Sequence, residues 1–163
     1  MKRIVIVLLM ISLFTVPAPA NAEEVVLEGF ATFNFPSTVK LRKTGCQEIK
    51  VNYVTDEDLP RANSVMIVAI TPVNSRRAHG YAAWLSTLTY MGEDALPPMA
   101  RLGVLPVKVC RKAWKYSEKA TRLTPAVTAG TYQITFGGSF YDAVTGEMKD
   151  GKIEISRKIK FTN

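Results

Sequence analysis

Alternating hydrophobic and polar residues predict two half-buried strands, one in the first third of the chain and one at its end. In residues 46–54, Ile49, Val51 and Tyr53 share one face and polar residues separate them. In residues 152–161, four apolar side chains and Arg157 alternate with charged or polar ones. Because successive side chains of a strand point to opposite faces, each segment is expected to bury one face.

Three further segments predict strands of different kinds. Residues 64–71 are mostly apolar and rich in β-branched side chains, which is typical of a central strand. Residues 103–110 contain Pro106, which has no backbone N–H and therefore favours an edge position or a bulge. Residues 131–136 alternate again, and the pair of glycines at 137–138 is expected to break that run. Whether residues 139–143 continue the strand is left open by the sequence.

The segment 81–90 is compatible with a strand or a helix. Its alternation is weak, and Tyr81, Leu85 and Leu88 also have helical spacing. We favour a strand because Thr, Tyr and Trp are frequent there and the neighbouring segments are β-like. Counting this segment and the loosely alternating residues 25–35, about seven or eight short strands separated by turn signals predict an all-β sandwich.

The segment Ala129–Phe136 resembles the start of the penultimate strand in immunoglobulin-like and fibronectin-III-like bacterial domains. This resemblance covers about 40 residues and implies an antiparallel β-sandwich in which the Cys46 strand is an early core strand. Antibody-type domains differ, since Lys108 stands where they have a Tyr, Trp84 lies far from the first cysteine, and Cys110 precedes the Gly-Thr-Tyr strand. The resemblance implies an architecture and no particular function, because this fold hosts many functions.

The N-terminus predicts export. Lys2 and Arg3 precede an apolar run of 11 residues at 4–14, and the small-residue triplet Ala20-Asn21-Ala22 follows. This is the pattern of a secretory signal peptide (residues 1–22), and the run is shorter than the roughly 20 residues that a membrane span needs. Residues 23–163 are then expected to form a single domain without a transmembrane span, secreted or retained in the periplasm or cell envelope. The style of the signal resembles bacterial ones.

Cys46 and Cys110 are the two cysteines of the chain. In an oxidising compartment an even pair most often forms a disulfide, and these two residues lack the Cys-x-x-Cys spacing of a redox motif. We therefore expect a structural disulfide, which on the loop-entropy model stabilises the fold by about 4 kcal/mol.

The sequence offers little for catalysis. It contains no phosphate-binding loop, no dinucleotide-binding glycine pattern and no Gly-x-Ser-x-Gly motif. The single histidine, His79, has no local signature of a Ser-His-Asp triad and is interpreted as a loop residue. Two cysteines and one histidine cannot complete a structural zinc site. We assign no catalytic residue, metal ligand or cofactor, and we expect no enzymatic activity.

The positive charge is concentrated in one segment. The chain has a net charge of +7, and residues 101–122 contain seven Lys or Arg against one acid, Glu118. The rest of the predicted mature chain is close to neutral. Such a local excess favours an anionic partner. The candidate anion-binding or partner-binding residues are Arg111, Lys112, Trp114, Lys115, Lys119 and Arg122.

The conformation of residues 111–123 is left open by the sequence. On a helix, the cations would lie in one arc of about 100° with Trp114 on the opposite side. In an extended loop, Trp114 and Tyr116 would be presented together between the cations. Either arrangement suits an anionic polymer.

These observations predict an exported, non-enzymatic binding module of the bacterial cell envelope or extracellular space. The alternative is a secreted protein-interaction or enzyme-inhibitor domain. The expected partner is a cell-envelope polymer or another protein, and nucleic acid is less expected because exported proteins meet it less often. The sequence does not indicate an oligomeric state.

Overall fold

The structure, a computed structural model, describes residues 21–56, 64–86, 102–140, 145, 147 and 153–163, with the backbone alone at 83–86 and at 153. The regular elements of these residues are strands, which confirms the all-β prediction. They are β1 (Ala22–Leu27), β2 (Ala31–Pro36), β3 (Thr38–Lys40), β4 (Cys46–Thr55), β5 (Ser64–Pro72), β6 (Gly80–Ser86), β7 (Leu102–Cys110), β8 (Gly130–Phe140) and β9 (Ile153–Thr162).

The strands form one curled sheet, a half-barrel, in the order β1-β2-β4-β7-β6-β5-β8-β9-β3. Neighbouring strands are antiparallel, except that β3 runs parallel to β9. The described residues do not form two separate stacked sheets, because Tyr81 of β6 pairs with Lys108 of β7 and makes the ladder continuous. The predicted β-sandwich is therefore confirmed as an all-β fold and not as a two-layer arrangement.

Alternation decides which side chains face the core. In β4, every second residue from Ile49 to Thr55 is buried and the residues between them are exposed. β5 pairs with β6 on one side and with β8 on the other, so its prediction as a central strand is confirmed. Residues 80–86 form β6, which confirms the strand interpretation of 81–90 as far as Ser86. Residues 87–90 lie outside the described part of the chain.

The backbone nitrogen of Pro106 in β7 points away from the neighbouring strand β4. The Cα atoms of the opposed pair Cys46 and Cys110 are 4.0 Å apart, which is the short spacing of a non-hydrogen-bonded pair. Hydrogen-bonded and non-hydrogen-bonded pairs alternate along an antiparallel ladder. Lys50 and Pro106, four positions from the disulfide, therefore also form a non-hydrogen-bonded pair. The missing N–H of Pro106 thus costs no bond to β4. β7 lies between β4 and β6 in the sheet, so the predicted edge position is not found. Within the described residues β6 pairs with β7 at one position, Tyr81 with Lys108.

The segment β2–β3 links the two ends of the sheet. β2 pairs with β1 and β4, whereas β3, one residue further along the chain, pairs with β9. Ser37 lies at the switch, where its N–H donates to the Asn21 carbonyl at 2.9 Å and its own carbonyl accepts from the Lys160 N–H at 2.8 Å. One short peptide therefore ties both edges together and helps the sheet to curl.

Aromatic side chains fill the concave side of the sheet. The rings of Phe33 and Phe136 lie 4.7 Å apart, and those of Phe30 and Phe140 stack at 4.6 Å. The glycine pair at 137–138 does not interrupt β8, so that prediction is wrong. Packing explains why glycine stands at this position, since a Cβ at Gly138 would lie 2.7 Å from the Phe30 ring. The glycine makes room for a buried aromatic side chain within a continuous strand.

The predicted disulfide is present. Cys46, the first residue of β4, is bonded to Cys110, the last residue of β7. The two residues are direct partners in the β4–β7 ladder. The bond therefore fastens two neighbouring strands at the point where the chain leaves the sheet for the connection to β8.

Candidate functional site

The connection between β7 and β8, residues 111–129, is called the basic loop below. It forms no helix, so of the two conformations left open by the sequence the structure has the loop. Trp114 and Thr124 form an isolated antiparallel bridge, in which each N–H donates to the carbonyl of the other at 3.0 and 2.7 Å. Inside this bridge the Ala120 N–H donates to the Ser117 carbonyl and closes a turn. The loop is thus a short hairpin with a defined backbone.

Side chains from the turn between β5 and β6, residues 73–79, hold the part of the basic loop that follows its hairpin turn. The Arg77 guanidinium donates to the Leu123 carbonyl, and His79 Nδ1 lies 2.7 Å from the Ala126 carbonyl. Because a carbonyl oxygen only accepts, His79 carries its proton on Nδ1 in this contact. Val127 is fully buried, and its N–H donates to the Cys110 carbonyl. His79 therefore has a structural contact in the loop region where it was predicted to lie.

Arg111 differs from the other predicted site residues. Its Nε donates to the Arg42 carbonyl at 3.0 Å, and its Nη2 donates to Asn163 Oδ1 at 2.9 Å. The side chain is half-buried. Its hydrogen-bonding capacity is directed to the chain itself, so Arg111 holds the start of the basic loop against the end of the chain.

Four cations of the basic loop face solvent. Their side chains are exposed, and within the described residues none of them has a hydrogen-bond or ion-pair partner. Glu118 is the one acid of the loop and is exposed as well. A bound anion would meet these charges without first displacing a carboxylate. The four residues are Lys112, Lys115, Lys119 and Arg122.

An aromatic cluster lies beside these cations. The Lys108 ammonium lies over the Trp114 ring, 4.7 Å from its centroid. The Tyr116 ring lies 6.3 Å from that of Trp114 and meets Tyr81 edge to face at 5.4 Å. Trp114 and Tyr81 are half-buried, whereas Tyr116 is 55% exposed. The loop therefore presents aromatic surface and positive charge together.

Burial affects two polar groups of the aromatic cluster, the Tyr81 hydroxyl and the Trp114 indole N–H. Burial raises the pKa of Tyr81 above its usual value of 10.0, and the neighbouring Tyr116 raises it further. The Tyr81 phenol is therefore neutral and can donate a hydrogen bond at any physiological pH. The buried Trp114 Nε1 has no hydrogen-bond partner in the described part of the molecule. Ring contacts and backbone bonds, and no bond from the indole N–H, hold Trp114 in place.

Sequence reasoning missed Lys108 and Tyr81 as members of the site. The alternation of β7 places Lys108 on the same outer face as Pro106, and this could have been read from the sequence. The position of Tyr81 could not, because it depends on the register that pairs it with Lys108 across two strands separated in sequence.

A groove of about 450 Å³ lies on the outer face of the sheet, over β5, β8 and β9. The turn between β5 and β6 forms one of its walls. Small and polar side chains form its floor, among them Ala69, Gln133 and Thr135. Thr135 Oγ1 and Ser156 Oγ are hydrogen-bonded to each other at 2.8 Å. Arg76 lines the wall and is exposed.

The described residues hold no cluster of three or more His, Cys, Asp or Glu side chains suited to a metal ion. The same part of the chain has no helix with the length and hydropathy of a membrane span. No protein-family model matches the chain, and neither a curated protein nor a solved structure matches it at a level that indicates a relationship.

Proposed function

We propose that this protein is an exported, non-enzymatic binding module that holds anionic polymers of the bacterial cell envelope or extracellular space on its basic loop. One observation carries the proposal: four exposed cations without partners stand on a hairpin whose backbone is fixed. A fixed loop loses little conformational freedom on binding, so the attraction between its cations and a polyanion is retained as affinity.

We also propose that the strand arrangement is immunoglobulin-like. Two features support this: β6 and β7 are paired at one position, and the segment β2–β3 switches from one end of the sheet to the other. A third feature is local. The Tyr132 hydroxyl accepts a hydrogen bond from the Thr128 N–H at 3.1 Å at the start of β8, which resembles the tyrosine corner of immunoglobulin-like sandwiches.

Export is supported by the sequence of residues 1–22 and agrees with the disulfide, since disulfides persist in oxidising compartments. Cleavage after Ala22 would remove Asn21, whose carbonyl accepts bonds from the Ser37 N–H and hydroxyl. It would leave Val25 and Leu27, the buried residues of β1, in the mature chain. Mass spectrometry of the exported protein should give Glu23 as the first residue.

Charge reversal on the basic loop tests the binding function. A variant with Lys112→Glu, Lys115→Glu and Lys119→Glu should no longer adsorb to an anionic polymer, and its melting temperature should stay close to that of the parent. The matched control is Lys40→Glu, Lys158→Glu and Lys160→Glu, which makes the same change in charge at exposed positions of β3 and β9. Equal loss of adsorption in both variants would show that net charge, and no particular site, is responsible.

The second candidate function is a secreted protein-interaction or enzyme-inhibitor domain. The observation that favours it is an exposed apolar row on the outer face of β1, β4 and β7. The register places Val54 beside Leu102, and one intervening β2 residue separates it from Val26. Leu102 is 69% exposed. Retention of a discrete protein partner at both about 0.05 M and about 0.5 M salt would support this function over the first, because salt screens surface charges.

A further inference from the structure

The tyrosine pair beside the basic loop has an arrangement that charge binding alone does not explain. Tyr116 projects from the hairpin and is 55% exposed, although its ring contacts both Trp114 and Tyr81. The edge-to-face contact with Tyr81 fixes the orientation of the Tyr116 ring. A large apolar ring is thus held in solvent by a second ring that comes from the sheet.

The neighbouring Trp114 does not offer the same surface. Its ring is half-buried and the Lys108 ammonium lies over it. Tyr81 is half-buried beneath Tyr116. Among the three clustered rings, Tyr116 is therefore the one that is more than half exposed.

We propose that Tyr116, supported by Tyr81, is a stacking platform for one sugar ring, and that the polymer bound by the basic loop is an anionic polysaccharide. This inference rests on the proposed function. The apolar C–H face of a pyranose ring would lie on Tyr116, and its carboxylate, sulfate or phosphate substituents would pair with the exposed cations Lys112, Lys115 and Lys119.

The same geometry argues against single-stranded nucleic acid. Proteins that bind single strands stack successive bases on several aromatic faces. Here the Tyr116 ring is exposed, the Trp114 ring lies beneath the Lys108 ammonium, and the Tyr81 ring packs against Tyr116. A polysaccharide needs a single platform, because each sugar can also be held through its hydroxyl groups and its charge.

The inference predicts two separable contributions to affinity. Contacts between cations and anionic groups weaken steeply with salt because counterions are released on binding. Stacking on Tyr116 does not depend on counterions. Removing the ring should therefore lower the affinity by the same factor at every salt concentration and leave the salt dependence unchanged.

The test compares polymers that share charge and differ in rings. Binding of the parent, Tyr116→Ala and Tyr116→Phe to dextran sulfate, inorganic polyphosphate and oligothymidylate is measured by calorimetry at several salt concentrations. We expect Tyr116→Ala to bind dextran sulfate about fivefold more weakly, as expected for the loss of one aromatic contact. Its binding to polyphosphate, which has no ring, should not change. Tyr116→Phe should bind dextran sulfate like the parent, and melting curves check that all variants fold.

Three results would overturn the inference, and the first two of them would leave the proposed function intact. Tyr116→Ala could bind dextran sulfate as tightly as the parent does. It could also lose polyphosphate and dextran sulfate equally, which would make Tyr116 a support of the loop. Oligothymidylate could be the tightest ligand and depend on Tyr116, which would favour nucleic acid. If the parent bound none of the three polymers even at low salt, the proposed function itself would be wrong.

Discussion

The sheet and the basic loop are stabilised in different ways. In the sheet, alternation along each strand puts apolar side chains into one core, as in β4, where burial alternates from Ile49 to Thr55. In the basic loop, the side chains of Arg77, His79 and Arg111 fix the backbone through hydrogen bonds to carbonyl or amide oxygens 46 to 69 residues away in the chain. Stability therefore belongs mainly to the core of the sheet, whereas the cationic part of the loop is a surface that hydrogen bonds hold in position and that Val127 anchors to the core.

The disulfide lies where the two regions meet, so its removal should have the largest effect. The double variant Cys46→Ala and Cys110→Ala should lose about 4 kcal/mol of unfolding free energy, because the unfolded chain regains the freedom of a long loop. Urea denaturation gives the value. A loss below about 0.5 kcal/mol, within the range of a surface substitution, would contradict this role.

Packing inside the sheet is tested by Gly138→Ala. The added Cβ would lie 2.7 Å from the ring of the fully buried Phe30, and such overpacking costs about 1–3 kcal/mol. In a Phe30→Leu background the free-energy cost of Gly138→Ala should be smaller, because the ring atoms that oppose the added Cβ are gone. Gly138→Ala with unchanged stability would mean that the core can yield at this point. Binding to anionic polymer should be unaffected in the folded variant.

The fastening of the basic loop is tested by Arg77→Ala, with Arg76→Ala as the matched control. Both substitutions remove one exposed guanidinium, but Arg77 donates to the Leu123 carbonyl and Arg76 has no bond to the loop. Arg77→Ala should cost about 1 kcal/mol of stability, as expected for one hydrogen bond. It should also weaken polymer binding more than Arg76→Ala does. Equal effects of the two variants on binding would indicate that charge matters and loop position does not.

The smallest expected effect concerns alkaline pH. Because the pKa of Tyr81 is raised in the folded state, the unfolded phenol loses its proton first as the pH rises above about 10. The unfolded state is then favoured, so the free energy of unfolding should fall with increasing pH in this range. Tyr81→Phe should show a shallower decline than the parent in urea melts between pH 9 and pH 11. Parallel declines would show that other groups dominate.

Sequence patterns predicted the strands well where one face is buried, because alternation and burial have the same cause. They failed at 137–138, where glycine serves packing against Phe30, a residue more than 100 positions earlier in the chain. They also predicted a two-layer sandwich where the structure has one curled sheet, because the continuity of the sheet depends on one pair, Tyr81 and Lys108, that no local pattern encodes.

The candidate site was predictable in composition and not in geometry. Local charge and Trp114 were evident from the sequence. The inward contacts of Arg111 and the clustering of Tyr81 with Tyr116 depend on tertiary contacts that no local pattern encodes.

The most direct test of the central claim is the salt dependence of binding to dextran sulfate. If Lys112, Lys115, Lys119 and Arg122 each displace a counterion, the logarithm of the association constant should fall against the logarithm of salt concentration with a slope of about −3. The variant with Lys112→Glu, Lys115→Glu and Lys119→Glu should show a slope near zero and hardly any affinity. A parent slope near zero, or an unchanged slope in the variant, would contradict binding through the basic loop.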